Sequence, residues 1–266
     1  MEQKVSMTSH RILFFNTLAF TVCFAVWMFN GVLVAFLVDN QLFKWSTVEI
    51  GWLLAIPVLT GSIFRLHGGI WTDKFGGKWM MGGLLFLCAI PMFLVSYANS
   101  FTAFALCSLG FGLAGVGFSI GIAYTSMWYP KEWQGRALGI FGMGNFGAGI
   151  TTLVAPTLLK KLTDNWTNLE GWRQLPKIYA AALVVMAIVF LIFTKNKKSE
   201  AAKGKSFIKM IAPLKQARVW RFGLYYYLVF GCFVALSQWL VPYYVNMYAV
   251  SLVTAGLLAT IFSMPS

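Results

Sequence analysis

Gly51-Trp-Leu-Leu-Ala-Ile-Pro57-Val-Leu-Thr-Gly61-Ser-Ile-Phe-Arg65-Leu-His67-Gly-Gly69-Ile-Trp-Thr-Asp73 is the stretch whose reading decides the fold. From Val48 to Thr72 the chain is apolar for longer than the roughly 20 residues, at 1.5 Å rise each, that cross a bilayer. Its one fixed charge away from the ends is Arg65. The guanidinium lies eight residues, roughly 12 Å, from the polar flank at Asp73, which places it near the middle of a hydrocarbon layer about 30 Å thick. A charge at that depth costs several kcal/mol unless it faces a polar cavity or a partner. The interiors of the apolar spans hold no Asp or Glu. Two readings stand: the side chain snorkels or bonds to carbonyls, or its counter-ion arrives from outside as a small anion. The second makes Arg65 a substrate ligand.

The rest of the 266-residue chain agrees with a membrane setting. It is 59% hydrophobic, 17% aromatic and only 11% charged, with a mean hydropathy of +0.71, the composition of an α-helical membrane protein. Apolar runs cover residues 12–38, 48–72, 79–98, 101–129, 135–159, 177–194 and 219–245, and an eighth starts near 252. The net charge of +13 follows topology and does not require nucleic acid. On one side stand Lys4, Arg11, Lys74, Lys78, Lys131, Arg136, Lys195, Lys197, Lys198, Lys203, Lys205, Lys209, Lys215, Arg218 and Arg221. The other side has Lys44, Lys160, Lys161, Arg173 and Lys177. The positive-inside rule places the N-terminus and the basic segment 195–218 in the cytoplasm of a cell whose inner (plasma) membrane the chain crosses repeatedly. Cys23, Cys88, Cys107 and Cys232 sit in apolar runs without CxxC spacing and read as packing, not as metal ligands or disulfides. The first run is too long for a signal-peptide core and lacks a small-residue cleavage site.

An internal echo organises these runs. Ile50-Gly-Trp-Leu-Leu-Ala-Ile in the second matches Ala255-Gly-Leu-Leu-Ala-Thr-Ile in the eighth, and Phe20-Thr-Val-Cys-Phe loosely matches Val229-Phe-Gly-Cys-Phe. A six-helix unit (1–194), a basic linker (195–218) and the start of a second unit (219–266) are expected, as in carriers built from parallel repeats. The last run is short for a span, so the chain reads as a fragment ending inside its eighth helix, with a counterpart of Arg65 expected near position 270.

Two motifs carry a resemblance. After the second run comes Gly69-Ile-Trp-Thr-Asp73-Lys74-Phe-Gly76-Gly-Lys78, which matches the loop pattern G-x-x-x-D-(R/K)-x-G-x-(R/K) of the major facilitator superfamily. Asp73 suits a helix end and the glycines suit a tight turn. In the fifth run, Gly139-Ile-Phe-Gly142-Met-Gly144-Asn145-Phe-Gly147-Ala-Gly149 follows Tyr129-Pro130-Lys-Glu-Trp-Gln-Gly135 and resembles the signature of the nitrate/nitrite porter family within that superfamily. Read from the residues alone, the glycines allow close helix approach in lipid, and Asn145 can donate a side-chain hydrogen bond. Gly110, Gly112, Gly115, Gly117 and Gly121 in the fourth run read as packing.

The resemblance implies a truncated helical bundle of this superfamily and a central anion site. In that site Arg65 is the arginine of the second helix, Asn145 the signature asparagine, and Gly142 and Gly144 leave room for the ligand. Phe118, twelve residues before Pro130, and the Tyr226/Phe230 pair of the seventh helix supply flat aromatic walls. Gly69, Asp73, Lys74, Gly76 and Lys78 form the gating loop. A planar monoanion such as nitrate suits a planar guanidinium. The expected function is nitrate/nitrite transport by alternating access, with exchange of one anion for another, by a monomer when full length, without metal or cofactor. Proton-coupled uptake and carriage of another small solute are the alternatives; within these spans only His67 offers a titratable group, roughly 200° round the helix from Arg65. A seven-helix receptor or retinal protein is disfavoured by the charge bias that puts the N-terminus inside and by the absence of lysine between Val219 and Val245 for a Schiff base. A membrane enzyme is disfavoured by having only His10 and His67 and no carboxylate in the interior of a span.

Overall fold

The computed structural model describes residues 5–200 and 207–263, all helix and connection, with no strand among the described residues. Among the described residues seven helices are long and apolar enough to cross a membrane: α1 (Met7–Asp39), α2 (Thr47–Phe75), α3 (Gly77–Tyr97), α4 (Phe101–Trp128), α5 (Lys131–Leu162), α6 (Leu169–Phe193) and α7 (Ala217–Tyr248). A shorter helix, α8 (Leu252–Ser263), follows. The chain is a multi-pass membrane protein. Lys4, Lys203 and Lys205, which enter the charge reading, lie outside the described residues.

Local chemistry sets the helix starts. Ser46 and Glu49 form a capping box at α2: the Ser46 hydroxyl accepts from the Glu49 backbone N–H at 3.3 Å, and the Glu49 carboxylate accepts from the Ser46 N–H at 2.8 Å. Ser100 caps α4 through the Ala103 N–H at 3.2 Å. α6 starts eight residues before its apolar run, because the turn Leu169–Arg173 is pinned: Arg173 pairs with Glu170 at 2.5 Å and donates to the Ser96 carbonyl at 3.0 Å and the Asn99 side chain at 2.7 Å. Ion pairing and carbonyl bonds support that turn where hydropathy carries no signal.

α1 is the most enclosed span, with Phe20, Phe24, Trp27, Phe29 and Phe36 buried. Its helix is interrupted at Met28, between Met7–Trp27 and Phe29–Asp39. α2 contains Pro57, which has no N–H to offer the Leu53 carbonyl. Asn30 of α1 takes that carbonyl at 2.7 Å, and the Trp27 indole donates to the Pro57 carbonyl at 2.7 Å. Both carbonyls thus have donors from α1.

α2 and α4 cross with their backbones in contact. A Cβ placed on Gly61 would lie 2.9 Å from the Gly112 carbonyl oxygen, and one placed on Gly112 would lie 2.6 Å from Pro57 Cα. The glycine runs also tighten two spans into 3₁₀ turns at mid-depth, Leu113–Val116 in α4 and Met143–Phe146 in α5, the kind of interruption that recurs at functional hinges.

One end of the bundle gathers Asp73, Gly77, Tyr129 and Lys195 and is named here the linker face; the other gathers Asn40, Tyr97, Thr163 and Ala249. At the linker face the first residues after α6 form a strap. The Tyr124 hydroxyl donates to the Lys195 carbonyl, and Lys197 donates to the Met127 carbonyl with its ammonium 5.0 Å from the Trp128 ring centre. Asn196 donates to the Phe75 carbonyl at 3.0 Å, and the Ser199 N–H donates to the Asp73 carbonyl at 3.0 Å. Gly76 has φ +94°, a conformation other residues rarely take, and the Asn196 side chain fills the space a Cβ would need.

Candidate functional site

Arg65 projects from α2 toward α4 and α7. Its Nε donates to the Gly115 carbonyl at 3.1 Å, inside the 3₁₀ turn of α4. The guanidinium carbon lies 5.1 Å from the Trp27 ring centre and 5.2 Å from those of Phe118 and Phe230, each within cation–π range. The Tyr226 side chain also interacts with it. Nη2 is buried and has no hydrogen-bond partner among the described residues. A half-buried guanidinium with an unused N–H inside a span, and no carboxylate paired with it among the described residues, is an incomplete electrostatic arrangement.

The aromatic residues named from sequence meet here. Tyr226 and Phe230 stack at 5.0 Å and 15°, one turn apart on α7, and Phe118 faces them at 6.0 Å and 5.6 Å. The rings touch one another, whereas a flat guest held between two faces needs about 7 Å. They therefore form a wall and not an open slot, and the side of the guanidinium left unused is its Nη2 N–H. A cavity of about 790 Å³ opens beside this wall, lined by Ser62, Arg65, Trp27, Tyr226, Phe230 and Gln238 among others.

The glycine-signature residues are distributed differently. A Cβ on Gly144 would strike the Phe20 ring, which packs on Phe118 at 5.5 Å and on Phe141 at 4.7 Å, so Gly144 meets the cluster through Phe20. Gly142 faces open space. Asn145 is half-buried in the same 3₁₀ turn, with its Oδ1 buried and unpartnered among the described residues. His67 packs between Phe64 and Trp71, at 6.1 and 5.9 Å between ring centres, and is not among the residues that line the cavity. In the loop motif, Asp73 and Gly76 meet the strap, Lys78 lies 5.5 Å from the Trp79 ring centre, and Gly69 approaches Ser119.

Three participants escape a reading of the sequence. Trp27 sits in an unbroken apolar run that offers no period to single it out. Gly115 contributes a carbonyl, and backbone acceptors leave no mark on side-chain pattern. Gln238 did leave a signal, an amide inside an apolar span; it is 2% exposed and donates to the Trp27 carbonyl at 3.1 Å, and a Cβ on Gly31 would lie 2.9 Å from its backbone oxygen.

The Major Facilitator Superfamily matches residues 15–266. The chain belongs to that superfamily. Within it, a probable nitrate/nitrite antiporter of Thermus thermophilus is 42% identical over 260 residues, which are 96% of this chain and 58% of the relative. A nitrite extrusion protein of Bacillus subtilis is 32% identical over 252 residues, 93% of this chain and 60% of the relative. The nitrate/nitrite porter resemblance carried by the glycine run thus holds along nearly the whole facilitator chain, which spans about 60% of these relatives' length. Among solved structures, a bacterial homolog of the human lysosomal transporter spinster, inward-facing and occupied, aligns with TM-score 0.74 at 19% identity, covering 98% of this chain and 59% of that one. That match concerns the fold.

Proposed function

We propose that this chain forms the greater part of a nitrate/nitrite carrier that exchanges the two anions by alternating access. The observation that carries the reading is the Arg65 guanidinium, held by Gly115 and three rings with Nη2 unused. A planar oxyanion completes it: two oxygens accept from the guanidinium edge, and the aromatic wall accepts a weakly hydrated ion at a small desolvation cost. The names of the relatives agree with that chemistry.

The packing of α7 and α8 on the earlier helices supports alternating access. Gln238 meets Trp27 and Gly31, the Thr152 and Thr260 hydroxyls bond at 2.9 Å, and Gly256 packs on the Thr152 carbonyl and Pro156. These contacts all lie in the half of the bundle away from the linker face, so rocking α7 and α8 about Arg65 would part them and close the linker side. The proposed division is a first unit of six helices (1–194), a linker (195–218) and the beginning of a second unit (219–266). The charge bias orients the linker face to the cytoplasm. Without anion, the buried guanidinium resists closure over the site; with anion bound, that penalty falls. Exchange follows.

Counterflow into liposomes holding the full-length protein tests this. Nitrate outside should drive nitrite out one for one, insensitive to a protonophore, while chloride and formate leave the trapped nitrite in place. Net uptake without counter-anion that collapses with the protonophore would refute exchange, and preference for chloride or formate would refute the substrate.

A further inference from the structure

A second cavity lies outside the proposed pathway, along the seam where α3 meets α6. It measures about 600 Å³. Small residues, Ala180 and Ala181 among them, leave the hollow; Phe86, Ile90 and Phe93 stand along its sides with 39%, 63% and 43% of their surface exposed. From Val185 to Lys177, or from Phe86 to Leu94, the groove runs eight residues, about 12 Å, close to the roughly 15 Å depth of one leaflet's hydrocarbon.

One end of the groove is apolar and the other is cationic. Lys177, half-buried, lines the end away from the linker face, with its ammonium 5.5 Å from the Tyr97 ring centre. One turn earlier on α6, Arg173 occupies the nearby carboxylate of Glu170 at 2.5 Å. Among the described residues no carboxylate pairs with Lys177. An apolar trough as deep as a leaflet, with an unneutralised ammonium where lipid headgroups begin, has the shape and charge of an anionic phospholipid. A second copy of the chain suits it less: the protein carries +13 with eight acidic residues in all, so two copies would bring like charges together.

We propose that the α3–α6 groove binds one anionic phospholipid, its acyl chain along Phe86, Ile90 and Phe93 and its phosphate on Lys177. The site is separate from Arg65, and its existence does not depend on the transport reading.

Native mass spectrometry of the full-length protein, with phosphatidylglycerol and phosphatidylcholine added separately in detergent, tests it. The unmodified protein should retain phosphatidylglycerol about fivefold more tightly, the ratio expected for one lysine near a headgroup. Lys177→Gln should bind both lipids equally, Ala181→Trp should lower both by filling the trough, and Lys160→Gln, on the same face but off the groove, should change neither. A preference that survives Lys177→Gln, or is lost equally in Lys160→Gln, would overturn the site in favour of diffuse surface charge. Unaltered lipid binding by Ala181→Trp would overturn the groove. A lipid-free dimer that Ala181→Trp disrupts would assign the surface to a second copy.

Discussion

Arg65→Lys is expected to lower nitrate affinity about a hundredfold, on the order of 3 kcal/mol, measured as equilibrium binding to the purified full-length protein. The substitution keeps the charge and removes the geometry. Arginine spends Nε on the Gly115 carbonyl at 3.1 Å and still offers its outer edge to a ligand. A lysine ammonium is a point donor: if it bonds Gly115 it has no planar second edge to present, and if it turns to the anion the Gly115 carbonyl loses its donor. The three rings at 5.1–5.2 Å hold the flat guanidinium by its faces and have less grip on an ammonium. Arg65→Gln should abolish binding while the protein melts at the same temperature or higher, because a buried charge lacking a fixed counter-charge is a cost to the fold. An arginine kept for stability would give the reverse, a large fall in melting temperature for Arg65→Gln and little change in binding for Arg65→Lys.

Gly112→Val is expected to destabilise the fold by about 3 kcal/mol or more, since side chains forced into filled space cost 1–3 kcal/mol even where neighbours can adjust. Here the neighbour is backbone. The new Cβ would lie 2.6 Å from Pro57 Cα and 2.9 Å from the Pro57 carbonyl oxygen, and that oxygen already accepts from Trp27. Moving α2 aside would break this bond and draw Arg65 away from Gly115, so nitrate binding should fall with stability. Gly139→Ala is the matching control. Nothing lies within 4 Å of its Cβ position, and replacing glycine within a helix by alanine should stabilise by up to about 1 kcal/mol. Thermal unfolding in detergent separates the pair; equal melting temperatures for the two variants would contradict the close crossing.

The contrast between those glycines shows where sequence reading succeeds. Six apolar spans with a charge-free interior and a seventh whose only mid-depth charge is Arg65 were legible because hydropathy and side-chain charge encode them directly; the loop Gly69–Lys78 was legible through the superfamily pattern it matches. The clustering of Arg65, Phe118, Tyr226 and Phe230 is what the resemblance implied, and the structure brings the four together. Backbone chemistry was not legible. The interruption at Met28, the two 3₁₀ turns and the Gly115 carbonyl depend on which peptide groups lack partners, and glycine runs of one composition hide different roles. In the fifth helix Gly139 and Gly142 have open space, while Gly147 has the Ala25 backbone nitrogen 2.8 Å from its Cβ position. The strap at Lys195–Ser199 was also hidden: a basic, polar segment reads as solvated, yet its Asn196 and Lys197 side chains and the Ser199 N–H donate to carbonyls at the ends of α2 and α4.

The central claim is that an external anion supplies what Arg65 lacks inside the protein, and a structure of the full-length carrier determined with nitrate present tests it most directly. The account predicts a planar anion with two oxygens about 2.7–2.9 Å from the Arg65 guanidinium edge, beside the Phe118–Phe230 wall, with Nε still on Gly115. Density for nitrate elsewhere, with both Nη atoms of Arg65 bonded to protein groups, would contradict it.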